Sequence, residues 1–135
     1  MQDLGIKVQD LRLGDDDAAS MDDETLSFAV QLFSSLAHPT RLKIVELLTE
    51  GPRTVNDVAQ TLRILQPNAS QHLAVLFRCG VVKMTPDGVA RLYALRGPRI
   101  ARILILVNEF RHVHATALAE DAVASPDLGE VVDKN

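Results

Sequence analysis

The sequence predicts a mainly α-helical fold with one small β-hairpin, and three observations carry that prediction. Apolar residues recur at three- and four-residue spacing in successive segments of the 135-residue chain. Helix start and stop signals punctuate those segments: Pro39, Thr54 and Pro98 at starts, Gly51-Pro52 and Gly80 at ends. Between the last two helical segments, two extended runs flank Thr85-Pro86-Asp87-Gly88, which has the pattern of a type I turn.

The first helix is expected over 21–36. Asp22, Asp23 and Glu24 crowd its first turn, where the helix dipole favours acids, and Leu26, Ala29, Val30, Phe33 and Leu36 share its inner face. Pro39 opens a second helix, since proline is tolerated in a first turn; Leu42, Val45 and Leu48 form its inner side. Thr54 caps a short third helix over 55–62, with Asp57 placed to complete a capping box, and Val58, Ala59 and Leu62 face inward. A fourth helix runs from about 66 to 79. It combines a polar block, Gln66-Pro67-Asn68-Ala69-Ser70-Gln71-His72, with an anchoring spine of Leu73, Leu76 and Phe77. Gly80 stands at its glycine-cap position. The hairpin strands are 81–85 and 89–95, and Pro98 restarts a helix that reaches Glu120 or beyond. Ile100, Ile103, Leu104, Val107 and Phe110 line one face of that last helix. Ile105 and Leu106 widen the apolar stripe nearly all round, so a second subunit is expected to cover what one small domain cannot. The resulting domain, 21–121, lies between an acidic, flexible N-terminal extension, 1–20, and a disordered C-terminal tail, 122–135.

The net charge of −4 argues against a polyanion binder until it is resolved along the chain. Residues 1–24 carry eight acids against Lys7 and Arg12, and 115–135 carry five against Lys134. The middle, 25–114, holds eleven Lys and Arg against five acids. A basic body between acidic tails is compatible with phosphate binding, while the tails also aid solubility. The greasiest stretch, Ile100 to Val107, is too short to span a membrane and is flanked by Arg99, Arg102 and Arg111. No basic-then-apolar leader opens the chain, and a single Cys79 excludes an intrachain disulfide. These features predict a cytoplasmic protein with no membrane partner.

Four helices, a hairpin and a closing helix, in that order, make a winged helix-turn-helix, with the first and last helices left to dimerise. Three stretches carry a more specific resemblance: Leu36-Ala37-His38-Pro39-Thr40-Arg41-Leu42-Lys43-Ile44; Asp57 to Leu62 followed by Gln66 to Leu76; and Gly80-Val81-Val82 with Gly88, Arg91 and Tyr93. Together they resemble the ArsR/SmtB family of bacterial repressors over roughly residues 25–118. The resemblance implies a homodimeric repressor on an inverted repeat of double-stranded DNA, released by a metal, an oxidant or a small molecule. One departure is visible: Arg63 and Leu65 stand where the family's turn usually carries a small residue and a Ser cap.

The residues agree with that reading on their own chemistry. Gln and Asn can pair with adenine edges in the major groove, and Ser with several partners, which nominates Gln66, Asn68, Ser70, Gln71 and His72 for base contact. Arg63, Arg41, Lys83 and Arg91, with Arg53, suit phosphate or minor-groove contact, or are simply solvated charges. His38, before Pro39, reads as structural.

The effector is less legible. The family's site on the third helix needs paired cysteines near Asp57, and there are none. Its site on the last helix is matched only in part, by Glu109, His112, His114 and Glu120. Imidazole with carboxylate suits Zn or Ni. His112 and His114, however, point about 200° apart on a helix and cannot chelate one ion together. Pairing across a dimer, pairing with Glu109 or a tail acid, and plain surface histidines all stay open. Cys79 is read either as a small core hydrophobe or as a redox-sensitive thiol. The rival function is a winged-helix protein-interaction module that does not bind DNA. No nucleophile triad, phosphate loop or Cys/His cluster supports an enzyme.

Overall fold

The computed structural model describes residues 20–124, so the N-terminal extension and most of the C-terminal tail lie outside the described residues. Five helices and three strands follow one another: α1 (Asp23–Leu36), α2 (Pro39–Leu48), β1 (Arg53–Thr54), α3 (Val55–Leu62), α4 (Gln66–Arg78), β2 (Val82–Asp87), β3 (Ala90–Leu95) and α5 (Pro98–Ala124). The last helix passes the expected domain boundary at 121 and runs on to Ala124.

Local capping explains where the helices begin. The Asp22 carboxylate accepts the Thr25 N–H at 2.7 Å, and that hydrogen bond holds its pKa below the usual carboxylate value. His38 caps α2 through Nδ1, which accepts the Thr40 N–H at 3.1 Å, while Pro39 fills the position that needs no donor. The Thr54 hydroxyl accepts the Asp57 N–H at 3.1 Å. The expected capping box is only half made, because the Asp57 carboxylate instead accepts from Arg53 at 3.3 Å.

Two helices end in the same way. Beyond α4, the Val81 N–H bonds back to the Leu76 carbonyl at 2.9 Å, with Gly80 in the left-handed region at φ 78°. Beyond α3, the Ile64 N–H bonds to the Ala59 carbonyl at 3.0 Å, and the left-handed residue is Arg63, at φ 58°. A side chain in that conformation costs on the order of 1 kcal/mol, which glycine would not incur.

The core gathers Ile44, Val45, Leu47 and Leu48 of α2 with Val58 and Ala59 of α3, Ala69, Leu73 and Leu76 of α4, and Val81, Val82 and Tyr93 of the wing. Phe77, expected on the anchoring spine, is 43% exposed and belongs to the surface. So do Leu42 and most of the face expected to pack on α1: Leu26, Val30 and Phe33 are exposed, leaving Leu36 buried and Leu32 packed against the core's edge. No residue of α5 is buried; Ile100 and Leu104 touch the core, Ile103 is half-buried, and the apolar stripe from Ile105 onward stands open.

The sheet has the order β1–β3–β2, all antiparallel. Asp87 pairs with Ala90, so the hairpin turns on Gly88-Val89 rather than on Pro86-Asp87. Gly88 has φ 63° and Val89 does not, the pattern of a two-residue type II′ turn. Pro86 therefore lies within β2, which is tolerable because β2 is an edge strand. The two-residue β1 was not expected; it pairs Arg53 with Tyr93 and Thr54 with Leu92, tying the wing to the start of α3.

Candidate nucleic-acid interface

The helix-turn-helix is α3, the Arg63 turn and α4. With Ala69, Leu73 and Leu76 buried, Gln66, Asn68, Ser70 and Gln71 are all exposed around the rest of the first turns of α4. They are short or medium polar side chains in successive positions of the first two turns, and none is held by another protein group among the described residues' side-chain hydrogen bonds. A row of uncommitted amides and a hydroxyl is what base-edge recognition needs. The N-terminus of α4 has no side-chain cap, as the Leu65 side chain cannot accept a hydrogen bond.

His72 does not join that row. It is half-buried, its ring centroid 4.5 Å from that of His38, and its Nδ1 lies 3.3 Å from an Arg41 guanidinium nitrogen. Arg41 in turn donates through Nε to the Ser35 carbonyl at the end of α1. Arg41 and His72, both expected at DNA, thus set polar atoms against each other in the half-buried space between α2 and α4. The sequence did carry a signal for this. His72 stands three residues after Ala69 and four before Leu76, so helical spacing puts it beside the buried stripe. Burial lowers the His72 pKa, and the neighbouring His38 and Arg41 lower it further.

The wing contributes one of its two expected cations to the side of α4. Strand alternation sets Arg91, paired with Pro86, on the face that carries Val82, Met84 and Tyr93, and Lys83, paired with Ala94, on the opposite face. Arg91 borders a cleft of about 400 Å³ with Val89 and Ala90 of the wing, Thr54 to Asn56 at the start of α3, and Gln66 of α4. Arg63 is exposed at the turn between the two helices. Arg53, also suggested for phosphate contact, has its guanidinium bridged to Glu50 at 2.8 Å and Asp57 at 3.3 Å. Arg96, which the sequence reading passed over, fastens the base of the wing by donating to the Gly80 and Val82 carbonyls at 3.0 and 3.3 Å. That bond joins residues sixteen and fourteen apart, and no local pattern announces it.

Among the described residues, no three His, Cys, Asp or Glu side chains come together to hold a metal ion. Glu109, His112, His114 and Glu120 are strung along exposed α5, with His114 stacked on Phe110 at 5.4 Å. The grouping the sequence suggested does not form within one chain, because a straight helix spreads those residues around and along its axis. Cys79 caps the C-terminus of α4, half-buried against the core's edge.

A three-stranded wing beside an exposed polar helix of a helix-turn-helix defines a winged helix-turn-helix regulator, and comparison with known proteins agrees. Residues 38–84 match the family described as bacterial regulatory protein, arsR family. The chain is 37% identical over 99 residues to the HTH-type transcriptional regulator Rv0081 of Mycobacterium tuberculosis, covering 73% of this chain and 84% of that one. It is 35% identical over 88 residues to a probable mercury resistance operon repressor of Streptomyces lividans, covering 65% and 70%. Among solved structures, the crystal structure of M. tuberculosis Rv0081 superposes with a TM-score of 0.61 at 34% identity, over 75% of this chain and 99% of that one. The homodimeric winged helix-turn-helix DNA-binding domain Mb0332 of Mycobacterium bovis gives 0.63 at 28% identity, over 71% and 92%. The chain belongs to the arsR family of bacterial regulatory proteins; it is a transcriptional regulator and not an enzyme. No helix among the described residues is long and apolar enough to cross a membrane.

Proposed function

We propose that this chain is a homodimeric repressor that binds an inverted repeat of double-stranded DNA and leaves it on a metal ion or another small signal. The observation that carries the DNA reading is the exposed, uncommitted set Gln66, Asn68, Ser70 and Gln71 in the first two turns of α4. In the major groove that set reads base edges, while Arg91 across the cleft and Arg63 at the turn neutralise phosphates. Lys83 adds charge from the far side of the wing.

Dimerisation is supported by the exposed apolar faces of α1 and α5 and by the homodimeric state of the Mycobacterium bovis domain. Two copies would set their α4 helices about 34 Å apart, one turn of duplex. A metal signal would be held between subunits, since the described residues of one chain do not collect the ligands.

An electrophoretic shift with DNA from upstream of the protein's own gene tests the reading. A specific complex is expected whose affinity falls steeply between 50 and 200 mM salt, about one unit of log–log slope per phosphate contacted. Substituting Arg91 with Ala should flatten that slope by about one unit. A chain that forms no sequence-specific, salt-sensitive complex would instead be the protein-interaction module.

A further inference from the structure

The geometry points to His72 as a positioning residue, one that holds the reading helix at its angle through a neutral imidazole and so makes operator binding acid-sensitive. The inference rests on the DNA reading above for its function and on the structure alone for its mechanism.

The link is a chain of donors and acceptors across three helices. A guanidinium can only donate, so the His72 Nδ1 facing Arg41 at 3.3 Å must accept, which requires it to carry no proton. The Arg41 Nε is committed to the Ser35 carbonyl of α1, so the guanidinium cannot swing away without giving up that bond. His38 is wired in the same sense: its Nδ1 accepts the Thr40 N–H as the cap of α2, and its ring lies 4.5 Å from that of His72. Both imidazoles therefore use a lone pair that protonation would remove.

The charges around His72 work in one direction. From α2 it faces His38 and Arg41; α1 contributes the Ser35 carbonyl, already taken by Arg41; neither α1 nor α4 sets a charged group against it. Among the described residues, no carboxylate is present beside it to welcome a second positive charge. Protonating His72 would put a donor against a donor and a cation against a cation, in a half-buried gap between α2 and α4. The relief is for α4 to tilt away from α2. Its exposed polar set would then leave the register that DNA demands.

The sign follows from the lowered pKa. A histidine whose pKa is lower in the folded state stabilises that state above the ordinary imidazole value near 6.5 and loses the contribution as pH falls below it. Operator affinity should therefore be flat above about pH 7 and decline below it.

Two measurements on the full-length protein test this. Operator binding by fluorescence anisotropy at pH 7.5 and 5.5 should weaken roughly three- to tenfold for the native chain. His72→Gln, whose amide oxygen can accept from Arg41 without titrating, should show little change; parallel profiles for the two proteins would overturn the proposal. Proton NMR of the DNA-free protein forms the second arm. The His72 ring should titrate below pH 6.5, and backbone amides of α4 should shift with the same midpoint. Ring titration without movement of α4 overturns the inference even where DNA binds, and the NMR arm stands even if the chain binds no DNA at all.

Discussion

The helices α2 to α4 and the flanking helices α1 and α5 are both rich in apolar residues, yet the first group buries most of the core and the second adds only Leu36. Ile44, Val45, Val58, Ala69, Leu73 and Leu76 are fully enclosed, while on α5 Leu106 and Phe110 are 61% and 66% exposed. The difference is one of geometry. Three short helices crossing beside a hairpin close around a common centre. A 27-residue helix is about 40 Å long, more than one such small body can cover. The same kind of residue is therefore core in one region and exposed in the other. Apolar periodicity identifies a buried face without saying whether this chain or another does the burying.

The largest effect that could break this contrast is on assembly. Leu106, Phe110 and Val113 form one stripe of α5 at four- and three-residue spacing. Replacing Leu106 and Phe110 together with Glu should convert the protein to monomers in sedimentation equilibrium while leaving the helical circular dichroism signal in place. A dimer that survives both charges would refute the division drawn between the two regions. Next comes Leu73→Ala inside the core, which should cost about 2–5 kcal/mol in urea denaturation at pH 7.5 and leave the oligomeric state of the remaining folded protein alone. Between core and surface lies Gln71→Ala: no change in unfolding midpoint, but about 1–3 kcal/mol lost in discrimination between operator and scrambled DNA by competition binding. The smallest shift expected is a gain. Leu65 is 71% exposed at the uncapped start of α4, and Leu65→Ser should raise stability by about 0.5–1 kcal/mol, read as a higher melting temperature.

Helix starts were legible because their causes are local: Asp22, Thr54 and the prolines at 39 and 67 act within one turn of themselves. The left-handed end of α3 at Arg63 was not, since nothing in a single arginine announces a positive φ. The wing was half legible. Two overlapping turn patterns share Gly88, and pairing across the sheet selects the tighter one, moving the bend by two residues. β1 is too short to have a period and exists only because β3 lies beside it. The exposed polar set on α4 could be read from residue chemistry, whereas the roles of Arg41, His72, Arg53 and Arg96 depend on which partners the fold delivers. Long cations and a histidine at a stripe's edge can face either way, and only packing decides.

The central place of β3 in the sheet has a mechanical consequence. Because β3 is bonded on one side to β2 and on the other to the two residues that lead directly into α3, the hairpin is not a loose arm. Its base is riveted by Arg96, and its middle is stitched to the helix-turn-helix. The backbone beside the opening between Arg91 and Gln66 is consequently tied to the helix-turn-helix through Leu92 and Tyr93. A wing joined in this way moves with the start of α3, so any tilt of that helix is passed on to the hairpin.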